Sequence, residues 1–169
     1  MMELRNKQYM TVIDCVAGQA LEQGNVLKLE DHGDVLVRAV KATASADVND
    51  IMGPLLAHWI NERSTATAFS GGADGFTFTT TGAGDEDSIH FIPSGSRMLA
   101  LGGKGVAEVR LFEDSLDTEF TGNLPAIGTT LDFSTDESKL CSTGNGSAAG
   151  KSVAFVLEND GVSVSVILG

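Results

Sequence analysis

Gly24-Asn25-Val26-Leu27-Lys28-Leu29 sets a turn glycine just ahead of a strand in which apolar and polar side chains alternate. The pattern returns at Gly95, which leads into Met98-Leu99-Ala100-Leu101, and at Gly128, which leads into Thr129-Thr130-Leu131-Asp132-Phe133. A tight turn feeding a strand whose side chains go alternately to core and solvent is the grammar of a small β-barrel or sandwich. The expected fold is therefore all-β: a small antiparallel barrel or sandwich with an inserted loop-and-strand region and at most one short helix.

Working outward, Gln8–Val16 reads as the first strand, preceded by a polar stretch at 1–8 expected to be a mobile N-terminal arm. Asp31-His32-Gly33-Asp34 is a hairpin turn leading into Val35–Val40. Ala42–Asp50 reads equally as a loop or as a short helical turn capped by Ser45. In Ile51–Ser64, the apolar residues Ile51, Leu55, Leu56 and Trp59 fit helical spacing, while Gly53-Pro54 opposes a helix beginning earlier. A short helix or an irregular apolar segment is expected over Pro54–Asn61. Residues from about 64 to 88 have the composition of an insertion, with a strand at Phe76–Thr79 and an acidic loop at Gly82–Ser88. Gly102-Gly103-Lys104-Gly105 reads as a hairpin turn before Val106–Phe112, and Glu113–Asn123 as an acidic loop. Short strands at Leu131–Phe133 and Lys139–Cys141 precede a closing hairpin, Val153–Glu158 and Val162–Leu168, about Asn159-Asp160-Gly161. Residues 9–169 thus read as one barrel domain.

Composition limits what such a domain does. Of 169 residues, 42% are hydrophobic and 6% aromatic, with 20 glycines, enough apolar content for a packed core of aliphatic residues between many turns. The net charge of −12 argues against a nucleic-acid groove, since phosphates need a basic patch. Residues 1–58 carry 8 acids against 5 bases and residues 59–169 carry 15 against 6, so the charge sits mainly in the later part, as a solvated face. No run approaches the ~18 apolar residues of a membrane span, and no signal-peptide pattern opens the chain. Cys15 and Cys141 follow no ligand spacing and read as small core residues, a disulfide between them being unsupported.

The residues that carry chemistry elsewhere form no constellation. His32, His58 and His90 are scattered without a second ligand at metal spacing, and Asp85-Glu86-Asp87 lacks the alternation of a calcium loop. Ser94-Gly95-Ser96 is no nucleophile elbow, and Gly102–Gly105 lacks the spacing and the following helix of a phosphate loop. No pair stands out among the 23 acids for glycoside chemistry. Neither a catalytic site, a metal nor a cofactor is expected, and the chain reads as a non-enzyme.

Pro125-Ala126-Ile127-Gly128-Thr129-Thr130-Leu131, the short strand at Leu140, Ser152–Glu158 and Val162–Leu168 together resemble the closing half of tailed-bacteriophage capsid decoration (cement) proteins. Ala17–Leu29 and Val35–Val40 resemble the opening half less sharply, and Ile92-Pro93-Ser94-Gly95-Ser96 repeats the Pro-x-Gly entry. The resemblance implies a compact, β-tulip-like barrel that binds the outer surface of an assembled phage capsid, made in the host cytoplasm and carried on the virion. Its partners would be the major capsid protein and further copies of itself, as a homotrimer or, second, a dimer; no nucleic acid or membrane is involved. The apolar run Ile51–Ile60 also calls for cover by another subunit. Arg5, Lys7, Tyr9 and Trp59 are the candidate partner-interface residues: two cations on the arm, the one Tyr, and the one Trp, which fills either the core or an interface. Another β-rich virion component, a tail or fibre protein, and a carbohydrate-binding module are the rival readings, the latter thinly supplied with aromatics.

Overall fold

The three turn glycines all take positive φ, at +88° for Gly24, +83° for Gly95 and +86° for Gly128. In each case a strand begins two residues later, at Val26, Arg97 and Thr130. The computed structural model describes residues 2–5, 10–31, 33, 36–59, 68–72, 75–79, 91–144 and 151–169. Its strands are β1 (Met2–Arg5), β2 (Thr11–Ala17), β3 (Leu21–Glu22), β4 (Val26–Glu30), β5 (Val37–Lys41), β6 (Leu55–Trp59), β7 (Ala68–Gly72), β8 (Gly75–Thr79), β9 (Phe91–Ile92), β10 (Arg97–Gly102), β11 (Glu108–Phe112), β12 (Thr130–Phe133), β13 (Leu140–Ser142), β14 (Ala154–Asn159) and β15 (Ser163–Leu168). Helical structure among the described residues is confined to 3-10 turns at Ser45–Asp47, Glu113–Ser115 and Thr118–Phe120. The all-β expectation is met.

Five strands close a barrel in the order β10-β2-β5-β4-β6, and six form a second sheet in the order β1-β11-β15-β14-β12-β13. The pairs are antiparallel except β2–β5, which runs parallel through Cys15↔Val37 and Ala17↔Ala39. A five-stranded barrel has a narrow bore, and the side chains filling it are correspondingly small: Ala17, Ala39, Ala57, Ala100 and Cys15 surround Leu27, Leu55 and Met98. The second core lies between barrel and sheet. There Val26, Leu56 and Leu101 from the barrel meet Val109, Leu111, Leu131, Phe133, Val156, Val164, Val166 and Leu168 from the sheet.

That two-sided packing overturns the helix expected over Pro54–Asn61. Leu55 and Ala57 point into the barrel while Leu56 points into the second core, so a continuous apolar run here means a strand buried on both faces. Among the described residues of the run, Ile51 is strongly exposed, whereas Leu55, Leu56 and Ala57 are buried within the chain's own cores.

Two other readings change. Gly102–Gly105 is not a hairpin turn, because β10 belongs to the barrel and β11 to the sheet; it carries the chain from one to the other. Residues 2–5 of the polar opening stretch are strand β1, paired with β11 from Met2↔Leu111 to Arg5↔Glu108. The reason is its alternation: Met2 drops into the second core while Arg5 faces carboxylates. The β4–β5 and β14–β15 hairpins form as read, and Phe76–Thr79 lies in β8, which pairs with β7. Ser45 opens a 3-10 turn, with Ala44 rather than Ser45 at its cap.

The β12–β13 turn locks the two layers together. Ser138, buried and at φ +55°, accepts from the Val26 N–H at 2.6 Å and donates its hydroxyl to the Ala42 carbonyl. Buried Asn25 donates to the Glu137 carbonyl at 2.9 Å and accepts from the Glu22 N–H at 2.7 Å. Lys139 adds an ion pair to Glu22 at 2.5 Å. Buried polar groups of this kind persist because every partner is supplied.

Candidate functional site

Alternation in β11 and β15 decides which side chains the six-stranded sheet offers to its surroundings. Val109, Leu111, Val164 and Val166 turn inward, which leaves the half-buried Glu108, Arg110, Phe112 and Ile167, and the buried Ser163 and Ser165, on the outer face. β14 joins them through an irregularity. Its register against β15 shifts between Val156↔Val166 and Glu158↔Ser165, so Leu157 is the extra residue of a β-bulge and Glu158 turns outward beside it.

Glu158 there meets Arg5 from β1, with Nη1 to Oε2 at 2.9 Å, and accepts from the Ser165 hydroxyl at 3.4 Å. Arg5 also lies 3.6 Å from Glu108. Next to this group, Arg110 pairs with Asp160, donates to the Ser163 hydroxyl at 2.5 Å and stacks 5.3 Å above the Phe112 ring. The Val162 and Ser163 N–H groups aim at the Asp160 carboxylate, and with the Ser163 hydroxyl and Arg110 they hold its pKa down to about 2. On this face three acids, Glu108, Glu158 and Asp160, are held by two bases, Arg5 and Arg110. An apolar fringe adjoins it: Ile127 (64% exposed), Phe155 (40%), Leu157 (38%) and Val162 (65%). Thr130 pairs with Phe155 and the Gly128 N–H donates to the Val156 carbonyl, which brings the Ile127 turn alongside β14.

Arrangements of fixed ion pairs, an aromatic and aliphatic fringe suit contact with another macromolecule, because rigid side chains lose little entropy on binding. The thiols offer little reactivity. Burial first, and then nearby Asp14 for Cys15, raise that thiol to about 11. Burial, then Asp117, Glu119 and Asp132, raise Cys141 to about 12. Both cysteines are free, and both are buried, as their reading as core residues expected. Among the described residues no group of three or more His, Cys, Asp or Glu is placed to hold a metal ion.

Of the four residues read as partner-facing, Arg5 lies on the outer face, tied to Glu108 and Glu158 rather than held out on a loose arm. Trp59 ends β6 opposite Met98, on the barrel and so on a different sheet. Lys7 and Tyr9 lie outside the described residues, as do His32, His90 and Asp85–Asp87. The sequence reading missed Arg110, Phe155, Leu157, Glu158 and Asp160. The signal for Arg110 was present, since Glu108-Val109-Arg110-Leu111-Phe112 alternates strictly; the bulge that turns Glu158 outward leaves no such mark.

No protein-family model and no curated protein matches the chain. Among solved structures, the N base of head fibre protein gp8.5 of bacteriophage phi29 aligns with a TM-score of 0.45 and 11% identity, over 95% of this chain and 94% of that one. At that score the likeness is loose, and neither fold family nor function follows from it.

Proposed function

We propose that this chain is a non-enzymatic structural protein of a tailed-bacteriophage virion, which binds the outer surface of the assembled capsid and stabilises it as a decoration protein. The observation that carries the reading is where the resembling segments fall. Thr130–Phe133, Leu140–Ser142, Ala154–Asn159 and Ser163–Leu168 are four adjacent strands of one sheet, so the resemblance covers a structural unit rather than scattered turns. That same unit carries the apolar fringe and the Glu158 and Asp160 ion pairs. A decoration protein needs no reactive group. It needs shape and several modest contacts, which sum to strong attachment when copies are linked. The major capsid protein is the partner, and the acidic remainder of the surface faces water.

The test is to mix the purified protein with undecorated capsids and measure cosedimentation and the temperature of shell rupture. Saturable binding with a raised rupture temperature is the expected result. No binding to capsids, with binding instead to tail structures or to an immobilised glycan array, would overturn the reading.

A further inference from the structure

The six-stranded sheet ends in β1 on one side and β13 on the other, and the two edges are finished differently. The β13 edge is covered by the chain's own Glu113–Phe120 segment. Leu116 bridges Leu140, the Asp117 N–H donates to the Leu140 carbonyl at 3.0 Å, and the Glu119 carboxylate takes the Ser142 N–H. This is the usual protection of an edge strand against pairing with another chain. β1 has a strand partner on one side only among the described residues, namely β11. Alternate N–H and carbonyl groups of a strand point away from its partner, so β1 presents a row of them outward.

What fits that edge is written in its own order of charges. Position 3 is Glu, position 4 is Leu and position 5 is Arg. Antiparallel pairing of two β1 strands about Leu4 sets position 3 of each copy opposite position 5 of the other, an acid against a base twice over. Opposed charges at directly facing positions favour such a pair, and like charges disfavour it. A two-fold contact has this self-complementary form. Two bodies of charge −12 repel at long range, so association needs such a local match.

We infer that β1 is the surface through which two copies of this chain pair, their six-stranded sheets becoming one continuous sheet. The pairing gives a dimer rather than the trimer read from the sequence, and holds whether or not a capsid is the partner.

The experiment uses sedimentation velocity on the full chain and on two charge variants, Glu3→Arg and Arg5→Glu. The wild type is expected to be a dimer at micromolar concentration. Each variant alone should associate on the order of tenfold more weakly, since like charges then face each other at both positions. Mixing the two variants in equal amounts should restore dimers, because every facing pair is again opposite in sign. A monomeric wild type, a trimer, or variants that associate as the wild type does would each overturn the inference. Arg5→Glu also loses the pairs to Glu108 and Glu158, so hydrogen exchange of the wild type at several concentrations is the second measurement. Protection of the β1 amides that rises with concentration is expected, and concentration-independent protection would overturn the pairing.

Discussion

Arg5 and Glu158, 153 positions apart in the chain, meet at 2.9 Å on the outer face of the six-stranded sheet. The contact exists because a bulge at Leu157 turns Glu158 outward and because Met2, in the core, fixes the strand that carries Arg5. The two side chains are 38% and 63% exposed, so water screens the pair. Arg5→Ala is expected to lower stability by at most about 1 kcal/mol. Its larger effect should be local, with faster hydrogen exchange at Met2–Arg5 and unchanged exchange in the barrel strands.

Two of the turn glycines should respond differently to the same substitution. Gly95→Ala meets open space and bears only the cost of positive φ, about 1–2 kcal/mol. At Gly24 a Cβ would lie 2.5 Å from the Ser115 carbonyl oxygen. That clash should add roughly 1–3 kcal/mol to the backbone cost. Urea unfolding of both variants measures the difference; equal losses would mean that the Ser115 segment yields.

Ser138→Ala removes the hydroxyl that binds the Ala42 carbonyl inside the seam. A buried acceptor left without its donor costs roughly 1–3 kcal/mol. Chemical denaturation should show that loss with the m-value unchanged, since the surface exposed on unfolding is the same.

Asp160 gives a pH dependence of defined sign. Its carboxyl sits near 2 in the folded chain against an ordinary value of 3.8, so the charged form is favoured by folding. The stabilisation is complete above about pH 4–5 and is lost as the pH falls toward 2. The difference in melting temperature between the wild type and Asp160→Asn should therefore shrink on acidification through that range. A difference that widened would contradict the hydrogen bonds from Val162, Ser163 and Arg110.

Cys15 and Cys141, with thiols near 11 and 12, should stay unmodified by a maleimide at pH 8 in the folded protein and react at once in urea, since the thiolate is the reacting form. Mass spectrometry after timed quenching reads both.

Strands with a clear alternation and a turn glycine were legible from sequence, including both hairpins and the three glycine entries. β6 was not, although Gly53 stands at φ +74° two residues before Leu55, the same offset as the other three. Its apolar run hid the signal, because burial on both faces erases alternation and imitates a helix face. Gly161 repeats the offset ahead of Ser163. The parallel β2–β5 pair and the passage of the chain from barrel to sheet at Gly102–Gly105 are long-range choices, and local pattern does not encode them. At the candidate site, Arg5 was found as a charge, but its partners were not, since Glu108 and Glu158 come to it only through the sheet order and the bulge.

The sheet order also dictates when the parts of this chain are able to form. All five barrel strands lie between Thr11 and Gly102, so the barrel has its pieces once Gly102 has left the ribosome. β1, made before the barrel strands, waits for Glu108–Phe112 as its partner, and β11 in turn waits for Ser163–Leu168 as its second neighbour. Closing so long a loop is slow compared with local pairing. Met2–Arg5 is therefore made before the barrel strands yet fixed after them, and the six-stranded sheet is complete only once Ser163–Leu168 has been made.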